Sequence, residues 1–169
     1  MHRMARFEKV SKEQFYADLE KQSGLCESVR DLQLYEQIRL PRRATAGSAG
    51  YDFFLPMDLC LRPQESVRIP SGIRCHMQPG WVLTLYPRSS LGCRYHLQLD
   101  NTVGVIDADY VQAKNEGHIL IQITNHSPKG ETLCLSQGSA FVQGVFLSFG
   151  ITEDDAASDP RSGGFGSTG

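Results

Sequence analysis

The segment Ser66-Val-Arg-Ile-Pro-Ser-Gly-Ile-Arg-Cys-His-Met-Gln-Pro-Gly-Trp-Val-Leu-Thr-Leu-Tyr-Pro87 contains three runs of β-prone residues divided by proline and glycine. The divisions fall at Pro70-Ser-Gly72 and Pro79-Gly80, and Pro87 ends the third run. Proline lacks a backbone N–H and glycine weakens a strand, so these residues mark turns. Strands that recur at a spacing of roughly ten residues between such turns predict an all-β sandwich or barrel-like domain.

The same pattern extends from about Gln33 to Gly150, where further β-prone runs alternate with proline and glycine. Nothing repeats at a fixed period, which argues against a propeller or a solenoid. The predicted strands are Tyr35–Leu40, Tyr51–Leu55, Ser66–Ile69, Ile73–Met77, Trp81–Tyr86, His118–Thr124 and Phe141–Phe149.

Two segments of different character flank this β domain. Residues 11–22 predict a helix, because Ser11 and Gln14 fit a capping box and apolar residues recur four apart. Residues 151–169 lose the alternation, and their acidic residues and glycines predict a flexible arm. The predicted regions are an N-terminal extension with one short helix (1–33), the β domain (34–150) and the C-terminal arm (151–169).

The composition of the 169-residue chain is that of an ordinary globular protein, with 40% hydrophobic and 21% charged residues. A net charge of −2 without a basic stripe argues against a nucleic-acid polymer as partner. No apolar run approaches the roughly 20 residues of a membrane span, and Met1–Lys12 is too polar for a secretory signal. We therefore expect a cytoplasmic protein.

The cysteines and histidines do not follow the spacing of a metal site. There is no Cys-x-x-Cys pair and no His-Glu-x-x-His pattern, so we expect no metal ion held by protein side chains. Reduced, mostly buried thiols are the expected state of the five cysteines. These are Cys26, Cys60, Cys75, Cys93 and Cys134.

A turn suited to an anion follows the predicted strand Trp81–Tyr86. In Pro87-Arg-Ser-Ser-Leu-Gly92 a basic residue, two hydroxyls and successive backbone N–H groups turn together, which suits phosphate oxygens. The alternative is an ordinary polar turn. Two further features either support such a site or have only a structural role. They are the turn Gly47-Ser-Ala-Gly50-Tyr-Asp52 and Gln143, a polar residue within an apolar run.

The segment Asn101–Tyr110 carries a sharper signal. A turn glycine and two apolar residues precede Asp107, and Asp107 and Asp109 would point to the same face if the segment is extended. An aspartate beside an apolar wall can act as a base on a water molecule, and Tyr110 can stack on a sugar. The alternative is a hairpin with two solvated carboxylates.

The final residues Arg161-Ser-Gly-Gly-Phe-Gly-Ser-Thr-Gly169 combine a guanidinium, glycines, an aromatic ring and two hydroxyls. Glycines allow close approach of the backbone to a ligand, and an arginine presents a planar fork to phosphate oxygens. The segment therefore predicts a mobile flap over a nucleoside phosphate. The alternative is a disordered Gly/Ser tail.

Taken in order, these five segments resemble the five motifs of the trimeric dUTP diphosphatases (dUTPases), over about residues 35–169. The resemblance implies a jelly-roll-like β-barrel that assembles as a homotrimer, with active sites at subunit junctions. It implies hydrolysis of dUTP to dUMP and diphosphate, which keeps uracil out of DNA. It also implies Mg²⁺ held by the substrate triphosphate and its waters rather than by side chains.

The resemblance also assigns roles to individual residues. Asp107 would be the base that activates the attacking water, and Tyr110 would pack on the deoxyribose and exclude a 2′-hydroxyl. The hairpin from Asn101, including Val105 and Ile106, would recognise uracil and leave no room for the 5-methyl group of thymine. The phosphates would be bound by Ser89 and Ser90 and by the arm residues Arg161, Gly166, Ser167 and Thr168. Arg88 would pair with Gln143 beside the phosphate site. Phe165 would cover the uracil, and Asp52 would support the metal's hydration shell or the scaffold of the site.

The chain departs from the family pattern in three places. The loop 111–117 carries about five extra residues, Ala140 stands where an arginine is usual, and residues 1–33 have no counterpart in the minimal domain. Two other functions are the alternatives. A dCTP deaminase of the same fold needs an acid–base carboxylate where this chain has Gln122, and a regulatory protein-binding module would use the extra segments.

Overall fold

The computed structural model describes residues 3–22 and 33–159, and these form a mostly β structure with few helices. The strands are β1 Ala5–Lys9, β2 Arg42–Arg43, β3 Tyr51–Phe54, β4 Leu59–Leu61, β5 Ser66–Pro70, β6 Ile73–Met77, β7 Trp81–Pro87, β8 Leu97–Leu99, β9 Gly104–Ile106, β10 Leu120–Asn125, β11 Leu133–Leu135 and β12 Ala140–Ser148. The helices are α1 Lys12–Glu20, α2 Leu34–Gln37, α3 Ser89–Tyr95 and a 3₁₀ helix Ala108–Gln112.

The strand pairs of residues 3–22 and 33–159 are antiparallel and form four sheets. The largest has the order β2-β3-β12-β7-β9, and a second has the order β5-β10-β8. Two further pairs are β1-β6 and β4-β11. Within the described residues none of these sheets closes into a barrel. The predicted β class is therefore confirmed, whereas a closed barrel is not observed.

Most of the predicted strands are confirmed within one or two residues of their ends, but Tyr35–Leu40 is not a strand. Its first residues lie in the short helix α2. The hydroxyl of Tyr35 donates to the Val10 carbonyl (2.7 Å), and Lys9 Nζ donates to the Tyr35 carbonyl (3.0 Å). Contacts with the end of β1 therefore hold this segment in a turn, whatever its local β propensity.

The N-terminal segment belongs to the core of the protein. Strand β1, which the sequence patterns did not reveal, pairs with β6 in a register that sets Phe7 opposite Cys75. On α1, the side chains of Phe15 and Leu19 are only 0% and 2% exposed. Burying two such side chains stabilises the fold by about 1.5–3 kcal/mol each, so this segment is more than a surface appendage.

The predicted helix is confirmed, although only half of its capping box forms. The hydroxyl of Ser11 accepts a hydrogen bond from the Gln14 backbone N–H (3.1 Å). The Gln14 amide does not return to Ser11 but donates to Asp18 Oδ2 (2.7 Å). The backbone N–H of Ser11 is satisfied instead by the carboxylate of Glu116, which lies far away in the sequence (2.8 Å).

The expectation of reduced, buried cysteines is wrong for one pair. Cys60 and Cys134 form a disulfide between β4 and β11, where the register sets them opposite each other with a Cα–Cα distance of 4.2 Å. Their sequence separation of 74 residues concealed this proximity. Cys75 is buried and free, and burial raises the pKa of its thiol to about 12, whereas Cys93 is free and exposed.

Candidate active site

The predicted anion turn lies in an open cleft of about 600 Å³. Strand β7 ends at Pro87, and α3 begins at Ser89, with Arg88 between them in extended conformation. The structure thus brings together four of the residues predicted to form the phosphate site, namely Arg88, Ser89, Ser90 and Gln143, and the side chains of Ser89 and Ser90 are exposed to the cleft. The cleft is lined by Ala44, Ser48, Ala49, Gly50, Asp52, Tyr86, Arg88, Ser89, Ser90, Gln143 and Val145.

Arg88 and Gln143 have different partners from those expected. Arg88 Nε lies 3.4 Å from Asp52 Oδ1 in a half-exposed ion pair, and Gln143 Nε2 donates to the Pro87 carbonyl (3.3 Å). Strand register explains this arrangement, because Gln143 on β12 lies between Asp52 on β3 and Tyr86 on β7, next to the segment that carries Pro87 and Arg88. A Cβ at Gly50 would lie 2.7 Å from Gln143 Oε1, so the glycine in this turn makes room for the glutamine.

The segment predicted to read the nucleobase passes from one sheet to another. Strand β8 pairs in the three-stranded sheet and β9 pairs in the five-stranded sheet, so the expected hairpin is a crossing turn without a ladder between its two strands. A cavity of about 120 Å³ lies at this turn. A Cβ at Gly104 would lie 3.0 Å from the Leu85 Cβ, so the backbone there approaches β7 closely. The cavity is lined by Arg68, Leu85, Leu99, Asp100, Asn101, Gly104, Leu120, Ile121 and Gln122.

A polar network borders this cavity, and sequence reasoning missed most of it. Arg68 donates through Nε and Nη2 to Gln122 Oε1 (3.1 and 2.8 Å), and Gln122 Nε2 donates to Asp100 Oδ2 (2.6 Å). The hydroxyl of Thr124 donates to the other oxygen of Asp100 (2.5 Å). The alternation of polar residues along β5 and β10 is the signal that could have revealed this network, since the register pairs Gln122 with Arg68.

Asp107 and Asp109 are exposed, but they do not lie on one extended strand. Asp107 precedes the 3₁₀ helix Ala108–Gln112 and Asp109 lies within it, so the expectation of a shared strand face is wrong. Before them, Val105 is 54% exposed and Ile106 is 2% exposed. Asp107 thus follows directly after a buried anchor in β9.

Tyr110 is almost fully enclosed by its own chain. It is 3% exposed, its hydroxyl donates to the His118 carbonyl (3.0 Å), and the amide of Asn115 donates to that hydroxyl (3.0 Å). The contact of Tyr110 with a sugar stays a prediction, and any such contact must use the small part of the residue that remains exposed.

The phosphate cleft and the cavity at the crossing turn share no lining residue, and neither Asp107 nor Tyr110 lines either of them. The family model for dUTPase matches residues 36–169. The chain belongs to the dUTPase family.

Individual dUTPases support this assignment. The chain is 42% identical over 135 residues to the deoxyuridine 5′-triphosphate nucleotidohydrolase of Lactococcus lactis, covering 78% of this chain and 89% of that one. It is similar to the crystal structure of the Streptococcus mutans dUTPase (40% identity, TM-score 0.61, 70% of this chain and 91% of that one). A variant dUTPase of phage phi11 of S. aureus, whose structure concerns a structural Mg(II) ion, shares the fold at 22% identity (TM-score 0.64, 93% and 98% coverage).

The arm residues predicted to bind the substrate of this dUTPase-family chain cannot be compared with the structure. Arg161, Phe165, Gly166, Ser167 and Thr168 lie outside the described residues. Within residues 3–22 and 33–159, no three His, Cys, Asp or Glu side chains are clustered so that they could hold a metal ion. No described helix is long and apolar enough to cross a membrane.

Proposed function

We infer that this chain hydrolyses dUTP to dUMP and diphosphate. The family assignment over residues 36–169 supports this function. The observation that carries it in the structure is the cleft in which Asp52, Arg88, Ser89 and Ser90 converge. The cleft offers one cation, two hydroxyls and the first backbone N–H groups of α3, which is the set of donors that phosphate oxygens need.

Within this cleft Ser89 and Ser90 bind the phosphates through their hydroxyls and backbone N–H groups. A helix N-terminus favours negative charge, and these two residues start α3. The ion pair with Asp52 orients the guanidinium of Arg88 at the edge of the cleft. Phosphoryl transfer depends mainly on positioning and charge stabilisation, so groups that are already oriented are the ones that accelerate it.

Asp107 takes the proton of the attacking water. The water oxygen forms a bond to the α-phosphorus as the bond to the bridging oxygen breaks, and diphosphate leaves in line with the attack. The carboxylate of Asp107 is exposed and its backbone is anchored by the buried Ile106, so it can reach a substrate without losing its position.

The turn from Asn101 to Gly104 reads the uracil, and Tyr110 limits the sugar. The small cavity at this turn is the proposed place of the uracil ring, and the close backbone at Gly104 is the proposed cause of discrimination against a 5-methyl group. Tyr110, held by His118 and Asn115, forms a rigid wall that excludes a 2′-hydroxyl.

The sugar role of Tyr110 predicts a change in specificity. Replacing Tyr110 with Ala should raise kcat/KM for UTP relative to dUTP by about 10-fold or more, because removing an aromatic wall opens space and steric discrimination of this kind is worth about 1–3 kcal/mol. Steady-state kinetics with both nucleotides measure the ratio. Comparable kcat/KM for UTP and dUTP in the unmodified chain would contradict the assignment.

We propose that Mg²⁺ enters with the triphosphate and is held mainly by the phosphates and water. The cleft fits such a hard cation because its nearby donors, the carboxylate of Asp52 and the hydroxyls of Ser89 and Ser90, are oxygens. Asp52 would hold the ion's water shell. When bound, the ion neutralises charge on the triphosphate.

We propose a cytoplasmic homotrimer of the family's jelly-roll-like subunits, with each site shared between chains. The separation of Asp107 and Tyr110 from the phosphate cleft supports sharing, because one chain does not gather all the groups in one concavity. The three most exposed large apolar side chains of the described residues are also available for burial by a neighbour. These are Val105, Phe149 and Ile151, which are 54%, 53% and 75% exposed.

The assembly is tested by light scattering coupled to size-exclusion chromatography. We expect the mass of three chains at concentrations where the enzyme is active, because a monomer has incomplete sites. A fully active monomer would contradict the proposal of shared sites, but the proposal that the chain hydrolyses dUTP would still stand.

Incubation of the purified chain with dUTP, dCTP, dTTP and UTP, with Mg²⁺ or with EDTA, tests the function. Release of diphosphate from dUTP alone is the expected result. Release of ammonia from dCTP would instead indicate the deaminase. In the structure Gln122, at the position considered for the deaminase acid, is bonded to Arg68 and Asp100 and offers only an amide. No turnover of any nucleotide would indicate the regulatory module.

A further inference from the structure

The two segments by which this chain departs from the minimal family domain contact each other. The carboxylate of Glu116, in the loop 111–117, accepts hydrogen bonds from the Ser11 N–H (2.8 Å) and the Ser11 hydroxyl (2.6 Å) at the start of α1. These bonds lower the pKa of Glu116, against a smaller effect of burial. The loop therefore caps the helix, and the two segments form one unit.

A buried histidine joins the same helix to the end of this loop. His118 is 0% exposed, and its Nδ1 lies 2.7 Å from Asp18 Oδ2 on α1. Its Nε2 accepts a hydrogen bond from the Gly72 N–H (2.8 Å). A backbone N–H can only donate, so Nε2 carries no proton and Nδ1–H donates to Asp18. Burial lowers the pKa of His118, and the hydrogen bond and charge of Asp18 only partly oppose that shift.

Asp18 is itself held in place on α1. Its carboxylate accepts hydrogen bonds from Gln14 Nε2 (2.7 Å) and Lys21 Nζ (3.1 Å) in addition to His118. Burial raises the pKa of Asp18, but these hydrogen bonds outweigh it and the net shift is downward. Asp18 is therefore a charged, fixed acceptor, 4% exposed, for the imidazole of His118.

The backbone of the same histidine fixes Tyr110. The Tyr110 hydroxyl donates to the His118 carbonyl (3.0 Å), and Asn115 Nδ2 donates both to that hydroxyl (3.0 Å) and to that carbonyl (3.2 Å). A Cβ at Gly117 would lie 2.5 Å from the Val111 Cα, so the loop closes tightly on the 3₁₀ helix. Hydrogen bonds to the side chain and to the carbonyl of His118 thus link α1 to Tyr110 through this one residue.

We propose that Asp18, acting through His118, and Asn115, acting directly, are positioning residues that hold Tyr110 for discrimination between deoxyribose and ribose. The helix α1 is then part of the sugar-selecting apparatus, although it touches no substrate. This inference rests on the proposed function, because it takes Tyr110 as the wall that excludes the 2′-hydroxyl.

The first test replaces Asp18 with Ala and measures kcat/KM for dUTP and for UTP. The ratio of the two should fall on the order of tenfold, since a misplacement of about 1 Å can cost up to about a hundredfold. Asp18→Asn keeps an acceptor for the imidazole and should restore most of the ratio. The matched control is Leu19→Ala, which removes buried packing from the same helix but no polar contact, and should leave the ratio unchanged.

A double-mutant cycle separates positioning from general loosening. Tyr110→Phe removes the hydroxyl through which the network acts, so adding Asp18→Ala to it should cause no further loss of the ratio. Asn115→Ala removes the amide that donates directly to this hydroxyl and leaves Asp18 and His118 in place, so it should lower the ratio even if Asp18→Ala fails to fold. Equal loss in Leu19→Ala, full additivity in the cycle, or an unchanged ratio in Asn115→Ala would overturn the inference. Absence of dUTP hydrolysis by the unmodified chain would instead overturn the proposed function.

Discussion

Replacing Asp107 with Asn should lower kcat for dUTP by about 10²–10⁴-fold, which is the usual contribution of a general base. Asparagine retains much of the shape and hydrogen-bonding capacity of aspartate but cannot take the proton of the attacking water. Because the side chain is exposed, the thermal midpoint and the affinity for a non-hydrolysable dUTP analogue should change little. Steady-state kinetics, a thermal melt and calorimetric titration of the analogue measure the three quantities.

Asp109 provides the control for this experiment. It is an exposed carboxylate two residues further on, within the 3₁₀ helix, so Asp109→Asn makes the same chemical change at a neighbouring site. Its kcat should stay within a few-fold of the unmodified chain. If Asp107→Asn keeps more than about a third of kcat, far outside the loss expected for a base, Asp107 is not the base.

Removal of residues 160–169 should abolish most catalysis with little effect on stability. The sequence gives this segment an arginine, two hydroxyls and one aromatic ring, which we propose close over the triphosphate and the uracil and exclude water. Loss of even one oriented donor to developing charge costs about 10²–10³-fold in kcat, so we expect at least that loss. The adjoining residues 151–159 are all exposed, and the truncated chain keeps every residue of the described core.

The truncation also tests whether sites are shared between chains. A chain that lacks residues 160–169 keeps its Asp107, and the full-length Asp107→Asn chain keeps its arm. If the proposed trimer is correct, refolding the two together should regenerate activity, because a mixed trimer would contain sites with an intact base from one chain and an intact arm from another. A mixture as inactive as its components would contradict shared sites, and near-normal turnover by the truncated chain alone would contradict the closing role of the arm.

Strands with a strong local signal were predictable from sequence. Between Ser66 and Pro87, apolar and β-branched residues recur between proline and glycine, and the three strands β5, β6 and β7 form there. The short strands escaped prediction because two or three residues carry no periodicity. The segment from Tyr35 failed for a different reason, since tertiary contacts with Lys9 and Val10 overrode its local propensity.

The candidate site was predictable as a set of residues but not as an arrangement. The order of the motifs identifies the dUTPase family, and it led to Asp52, Ser89 and Ser90, which the fold gathers in one cleft. The partner of Arg88 was not predictable, because it depends on the register between β3 and β12. The network of Arg68, Gln122 and Asp100 was missed for the same reason, as it joins residues on β5 and β10 with the turn that follows β8.

The sequence by its own local chemistry thus specifies the β class and the residues that carry the chemistry, because strand propensity, turn residues and reactive groups are properties of neighbouring positions. The tertiary structure alone reveals that the N-terminal segment is part of the core. It alone also reveals that α1 is connected to Tyr110 through His118. Asp18 and His118 are 100 residues apart in sequence and 2.7 Å apart in space. Their pairing arises only when α1 and the loop 111–117 pack together. An ion pair or a hydrogen bond between residues distant in sequence depends on the packing of both elements and on the exclusion of water between them.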